Sequence, residues 1–396
     1  MHLRTVDRIE LPPAADMHVH MRHGDLMKLV APTVRQGGVD TAFVVGCRIW
    51  CVPMARYPGG LVCRIEHGAV SDSMLTAQVP PLTTVERRQV LEYKSELEAA
   101  APGVNFLMSL FLHPTITPEV IAQASAAGIT GVKLYPQGVT TNSDAGVADM
   151  KAFYDTFAAM EKHDMVLNIH GEVLESLAPP GTTLEEAFLP TLKSLHERFP
   201  KLRIILEHCS TAAAVEAVKA CGPTVAATIT AHHLYLTETD ACCDPFAFCK
   251  PIPKKPTDRD VLVRTVAAGD PKFFFGSDSA PHLRHTKTDA APGKAPAGVF
   301  TQPFATQLVV RGLQDGIARG VLAEDAISEA TLAGFLSHHG RAFYKLPAVA
   351  ETSTQKIVLV REGATVPPSV RSADGRVEVG NSRAGDEVFT LKWEER

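Results

Sequence analysis

Met165-Val-Leu-Asn-Ile-His170 is a short run, apolar on both faces, set between Asp164 and Gly171 and closed by a histidine. A run of this kind suits a strand buried on both sides, as in a parallel sheet covered by helices. Working outward from it, the same pattern recurs at Thr41–Val45, Asn105–Phe111, Gly131–Leu134, Arg203–His208, Val225–Thr230 and Lys272–Gly276. Ala15–His20 completes a set of eight β segments. Amphipathic stretches at Val85–Ala100, Pro118–Ala127, Asp149–Lys162, Thr183–Phe199 and Ala212–Ala220 lie between them, with N-cap signals at Thr117-Pro118 and Thr182-Thr183. No glycine-rich dinucleotide turn follows any strand, so the alternation predicts a (β/α)8 TIM-like barrel rather than an open sheet. Residues 1–350 are expected to form this barrel. Residues 351–396, with Lys356–Val360 and Val388–Trp393, are expected to form a small C-terminal β addition.

A barrel with additions accommodates all 396 residues as one unit, although ~150 residues per domain would suggest more. Lys plus Arg is 39 and Asp plus Glu is 44, a net charge of −5 that argues against binding nucleic acid by bulk electrostatics. No apolar run approaches the ~20 residues that span a bilayer, and Met1–Glu10 is too charged for a signal peptide. None of the eight cysteines sits in a CxxC pair, so free thiols in a reduced, cytoplasmic, soluble protein are expected. One stretch fits no element. Residues 46–78 hold three of the eight cysteines and one of the two tryptophans without helical or strand period.

In Asp16-Met-His-Val-His20 the alternation of a strand places His18 and His20 on one face, side by side, as chelation of a divalent ion requires. Alone, such a pair is more often structural. Here it is joined by His170, His208 and Asp278, each at the C-terminal end of a predicted strand, and by Lys133 inside one. In a barrel these ends converge on the face where active sites are built. A strand-buried lysine is costly unless paired, neutral or modified. Lys133 is therefore either the partner of a neighbouring acid or an amine able to add CO₂, giving a carbamate that can bridge two cations. Arg22, two residues from His20, offers a fork for a carboxylate. His232-His233, His338-His339, His163 and His285 receive no role and are expected to be structural or exposed.

Taken in order, Asp16-Met-His-Val-His-Met-Arg22, Lys133-Leu-Tyr-Pro-Gln-Gly-Val-Thr-Thr-Asn142, His170-Gly-Glu172, Glu207-His208 and Gly276-Ser-Asp-Ser-Ala-Pro-His282 resemble the class II dihydroorotases of the amidohydrolase superfamily. Ala247-Phe-Cys-Lys-Pro251 and Ala297-Gly-Val-Phe300 resemble the fungal version. The likeness runs from about Ala15 to Pro347, apart from the stretch after Val45. It implies a site with two Zn²⁺ ions per subunit: His18, His20 and Asp278 on one, His170 and His208 on the other, N6-carboxylated Lys133 and a hydroxide bridging them. Asp278 would be the catalytic proton carrier. Arg22, His282, Lys250, Ala297, Thr140 and Thr141 would bind the substrate. The activity implied is the reversible cyclisation of N-carbamoyl-L-aspartate to L-dihydroorotate and water, in a cytoplasmic homodimer.

The likeness fails in one place. Where the family has Met-Pro-Asn-Leu after this strand, with the Asn on the substrate carboxylate, this chain runs into Val45-Gly-Cys-Arg48 and rejoins the pattern at Val79. A retained intron or misplaced splice junction covering Gly46–Gln78 would account for both the surplus and the loss; an mRNA encoding the segment in full would refute that. Two other readings compete. A hydantoinase or allantoinase would share the metal residues but not Arg22, the Thr-Thr loop and Ser-Ala-Pro-His. A non-catalytic dihydroorotase-like protein would typically have lost metal ligands, and all six are present.

Overall fold

The computed structural model describes residues 1–45, 84–140, 143, 146–291 and 293–396. Residues 46–78 and Thr141 therefore lie outside the described residues. Strands β1 (Arg8–Leu11) and β2 (Ala14–Val19) open the chain. They are followed by β3 (Val39–Val44), β4 (Asn105–Phe111), β5 (Gly131–Leu134), β6 (Val166–His170), β7 (Ile204–Glu207), β8 (Val225–Ile229) and β9 (Phe273–Phe275). From β2 to β9 each strand pairs in parallel with the next, making one eight-stranded sheet. The sheet curls back on itself just past β9: Val19 bridges Ser279, and the Asp278 amide donates to the His18 carbonyl at 2.8 Å. The result is a nearly closed (β/α)8 barrel. Eight helices follow β2 to β9 in turn: Gly24–Gln36, Thr84–Ala100, Pro118–Ala126, Tyr154–Lys162, Leu184–Arg198, Ala212–Ala220, Pro256–Ala268 and Ala305–Ala318. The helix expected to start at Asp149 enters through a 3₁₀ turn, Met150–Phe153, before becoming α-helical at Tyr154.

The barrel interior is graded. Phe43, Leu107, Val166, Ile205, Ala226 and Phe274 fill one end, with Tyr344 packed against them. Register then decides what stands above that plug. Lys133 pairs with Asn168 and His170 with Glu207, so these four side chains share the inner face. On β2 the pairing passes from Asp16↔Ala42 to Val19↔Val44, three residues against two. That extra residue is a β-bulge, which re-aims the strand. Ala15 and Met17 thereby join the apolar plug, while His18 and His20 line the cavity above it.

The C-terminal residues divide into two pieces. β10 (Gln355–Thr365) and β13 (Glu387–Glu395) form an antiparallel sheet that takes β1 as its third strand. Gly38, at φ +83°, lets this sheet approach: a Cβ there would lie 2.6 Å from Leu391 and 3.1 Å from Ile357. The hairpin of β11 (Ser369–Arg371) and β12 (Glu378–Gly380) instead reaches the site's rim, where Val379 bridges Leu283.

Candidate metal centre

His18, His20, Arg22, Thr140, His170, His208, Lys250, Asp278, His282 and Ala297 all line one cavity, partly open to solvent. Lys133 lies beneath it, fully buried. The backbone does part of the aiming. His208 directly follows β7, and simple alternation would turn it away from the face that carries Glu207; at φ +43° the chain swings instead. Asp278, at φ +46°, and Arg22, at φ +59°, make the same excursion. A non-glycine residue in this region stores strain, which the surrounding structure must hold in place. Gly276 has a packing reason: a Cβ there would lie 2.8 Å from Thr228 and 3.0 Å from the Cβ of His18.

His18, His20 and Asp278 place their ligand atoms within 4.8 Å of one another. His20 Nε2 and His18 Nε2 stand 3.1 and 3.2 Å from the same carboxylate oxygen of Asp278, the second contact without hydrogen-bond alignment. The His18 Nδ1–H donates to Glu207 at 2.7 Å, leaving the Nε2 lone pair facing Asp278. Glu207 in turn accepts from Asn168 and Thr228, each at 2.6 Å. His170 Nε2 is held by Glu172 at 2.8 Å, which frees Nδ1. The His170 and His208 rings are 4.7 Å apart, and His208 lies 5.2 Å from His18. Burial pushes the His20 imidazole down to about 4 and holds His208 well below its usual range, so both are neutral donors. Burial would raise Asp278, but His18 and His20 outweigh it and hold the carboxyl well below the ordinary carboxylate range. Lys133 is pushed down to about 8 by burial, against the pull of Glu207 and Asp278.

The donor set fits a cation site. Among the described residues, His18 Nε2, His208 Nδ1 and Lys133 Nζ are buried without a hydrogen-bond partner. Each such orphan costs about 1–3 kcal/mol unless something satisfies it. An acid partner for Lys133, one of the two readings open from sequence, is not found within hydrogen-bonding distance among the described residues.

The substrate side of the cavity is equally built. Arg22 Nε donates to Pro281 O at 2.9 Å, which points the guanidinium inward. The His282 Nε2–H donates to Ala297 O at 2.9 Å, and burial beside Arg22 drives this imidazole down to about 3, so it is neutral. Lys250 uses its ammonium to hold Val139 O at 2.9 Å, next to Thr140.

A family model for amidohydrolases matches residues 83–297. Over 362 residues the chain is 46% identical to a probable dihydroorotase of Schizosaccharomyces pombe, covering 91% of this chain and 94% of that one. It is 38% identical to the dihydroorotase of Saccharomyces cerevisiae, over 99% of this chain and 100% of the other. The chain belongs to the dihydroorotase family. The crystal structure of the S. cerevisiae dihydroorotase in complex with 5-fluoroorotic acid superposes with a TM-score of 0.80 at 36% identity, covering 99% of this chain and 100% of that one. A D-hydantoinase from Thermus, at 15% identity and TM-score 0.68, shares the fold (98% of this chain, 83% of that one).

Sequence reasoning left several cavity residues without a role. Tyr135, Ala280 and Gly298 line it, as does Cys249. Glu172 and Glu207 stood inside quoted motifs, yet nothing in an apolar run tells a carboxylate that orients a histidine from one that ligates. Tyr135 was two residues from Lys133, the same strand face, and that spacing was the signal available.

Proposed function

We propose that the protein catalyses the reversible interconversion of N-carbamoyl-L-aspartate and L-dihydroorotate in pyrimidine biosynthesis, using two zinc ions. One observation carries the reading: four histidines and Asp278 line a cavity above a buried Lys133 whose amine has no hydrogen-bond partner among the described residues. His18, His20 and Asp278 would hold one ion, His170 and His208 the other, and Lys133, as a carbamate formed with CO₂, would bridge them. Imidazole and carboxylate suit zinc. When bound, such a pair polarises the amide carbonyl and activates water.

The chain's own residues supply the rest. Arg22 binds the substrate carboxylate through its guanidinium, whose Nε donates to Pro281 O and one of whose terminal nitrogens lies 3.2 Å from His282 Nε2. His282 adds a neutral polar contact, and the main chain at Lys250 and Ala297 completes the pocket. Thr140, on the cavity wall, contacts the substrate. Asp278 takes a proton from the attacking water onto its carboxylate and delivers it to the departing ring nitrogen; in cyclisation the proton travels the other way. The family resemblance supports a cytoplasmic homodimer. Among the described residues no helix is long and apolar enough to cross a membrane.

Metal analysis of the purified protein, together with turnover of dihydroorotate, hydantoin and allantoin, tests the reading. Two zinc ions per chain and turnover confined to dihydroorotate are expected. Turnover of hydantoin or allantoin in preference overturns the substrate, and metal loading without any turnover favours the non-catalytic alternative.

A further inference from the structure

Beside the cavity, three side chains that ordinarily bind soft cations meet out of contact with solvent. His232, His233 and Cys249 are 0%, 2% and 1% exposed. Their ligand atoms all lie within 4.8 Å of one another. The sequence expectation for this histidine pair was a structural or exposed role, and for the cysteines an absence of metal spacing. The fold overrides the second point, because Cys249 arrives from a loop after β8 and no short motif links it to the histidines.

Among the described residues, neither ring nitrogen of His232 has a hydrogen-bond partner. An imidazole normally donates from one nitrogen and accepts at the other, so a ring buried with both unsatisfied needs an explanation. His233 is fixed from behind: the Thr230 hydroxyl lies 2.8 Å from its Nδ1. That contact directs Nε2 forward, where it makes only a long 3.3 Å approach to Pro251 O. The Cys249 thiol donates to the same carbonyl at 3.4 Å, an ordinary length for a weak sulfur donor. Two weak donors therefore converge on one oxygen beside an unpartnered imidazole.

We propose that His232, His233 and Cys249 form a separate binding site for one thiophilic metal ion, with Pro251 O available as a fourth donor. Two imidazoles and a thiolate favour zinc, cadmium or copper(I) over magnesium or calcium. On binding, the sulfur–metal bond forms as the Cys249 proton leaves to water, and the two imidazoles bind as neutral lone-pair donors. The site shares no side chain with the His18, His20 and Asp278 set. Cys249 also lines the catalytic cavity, which gives an ion a way in. The inference does not depend on which cyclic amide the protein turns over.

The test adds Cd²⁺ to the zinc-loaded protein carrying Cys242→Ser and Cys243→Ser, which removes the exposed thiol pair. One further equivalent is expected, with an ultraviolet thiolate-to-cadmium band and an X-ray absorption signature of one sulfur and two nitrogens. The first centre offers no sulfur, so cadmium exchanged into it cannot give that signal. Cys249→Ser should abolish the band, and His232→Gln should weaken binding by about tenfold or more. No further equivalent, a sulfur count other than one, or a band that survives Cys249→Ser overturns the proposal. The sulfur count, read on the double variant, decides even if the Cys249 substitution does not fold.

Discussion

Glu207 is fully buried, and His18, Asn168 and Thr228 all donate to its two oxygens. A carboxylate behind a ligand histidine fixes the tautomer and raises the basicity of the imidazole. Glu207→Gln brings an amide N–H against at least one of these donors and removes the charge. Metal affinity is expected to fall about 10–100-fold, read by competition with a chelator, while KM moves little. Lys133→Ala removes the bridging group, so metal analysis should find binuclear loading lost; a variant that keeps two zinc ions and full activity refutes the bridge. Arg22→Gln acts on the other side of the cavity. Hydrogen bonds to a charged group are worth about 1.5–3 kcal/mol, so KM for dihydroorotate should rise about 10–100-fold. Metal content should be unchanged, and a loss of zinc in this variant would show that Arg22 supports the centre rather than the substrate.

At the scale of elements, helix Leu184–Arg198 shows how local and distant signals combine. Its capping box is local: the Glu186 amide donates to the Thr183 hydroxyl at 3.1 Å, and the Thr183 amide to the Glu186 carboxylate at 2.8 Å. Glu185 between them is turned inward, 1% exposed, and accepts from the Ser210 amide and hydroxyl and from the Thr211 hydroxyl. Burial outweighs those donors and raises its carboxyl from 4.5 to about 7. A folded-state value above the unfolded one means stability that is complete below pH 4.5 and is lost as pH climbs towards 7. The shift corresponds to about 3 kcal/mol. Melting temperature should therefore fall across that window, and Glu185→Gln should flatten the fall, since its amide mimics the protonated acid; an unaltered slope would mean that the donors hold Glu185 ionised. Much at this scale was legible. β4 and β5 occur at the bounds that apolar runs marked, because a strand buried on both faces writes itself as an unbroken run. The bulge in β2 was not legible, since an HxH pair reads the same with or without it. Nor was the swing at His208, since sequence carries no sign of a left-handed backbone at a non-glycine residue. Cys249 and Gly298 received no role although their neighbours Lys250 and Ala297 did, because the resemblance assigns the main chain there and not these two residues.

For the whole molecule, the sheet that joins the two ends of the chain was half foreseen. Its C-terminal strands alternate visibly, but Arg8–Leu11 is too short to announce a partner at Ile357–Val360, which only tertiary contact supplies. Ile9, Leu11, Ile357 and Leu359 are 0–2% exposed between this sheet and the barrel. On the outer side Arg8 pairs with Glu10 and Glu394, contacts exposed enough to add little. Stability here rests on the apolar layer. Fully burying one such side chain contributes about 1.5–3 kcal/mol, so the four together approach the whole net stability of a typical domain. Removing residues 355–396 should accordingly leave a chain that does not fold. Leu359→Ala is the discriminating change, because it trims one side chain of a layer that contributes nothing to the cavity lining. It should cost about 2–5 kcal/mol in denaturant unfolding. Metal content and turnover per folded molecule should stay at the parent level, because nothing in the site rests on that side chain. A variant as stable as the parent would mean that the layer closes over the gap. Zinc lost in step with stability would instead mean that the sheet holds the barrel mouth in register, and that stability and catalysis in this fold are not separable.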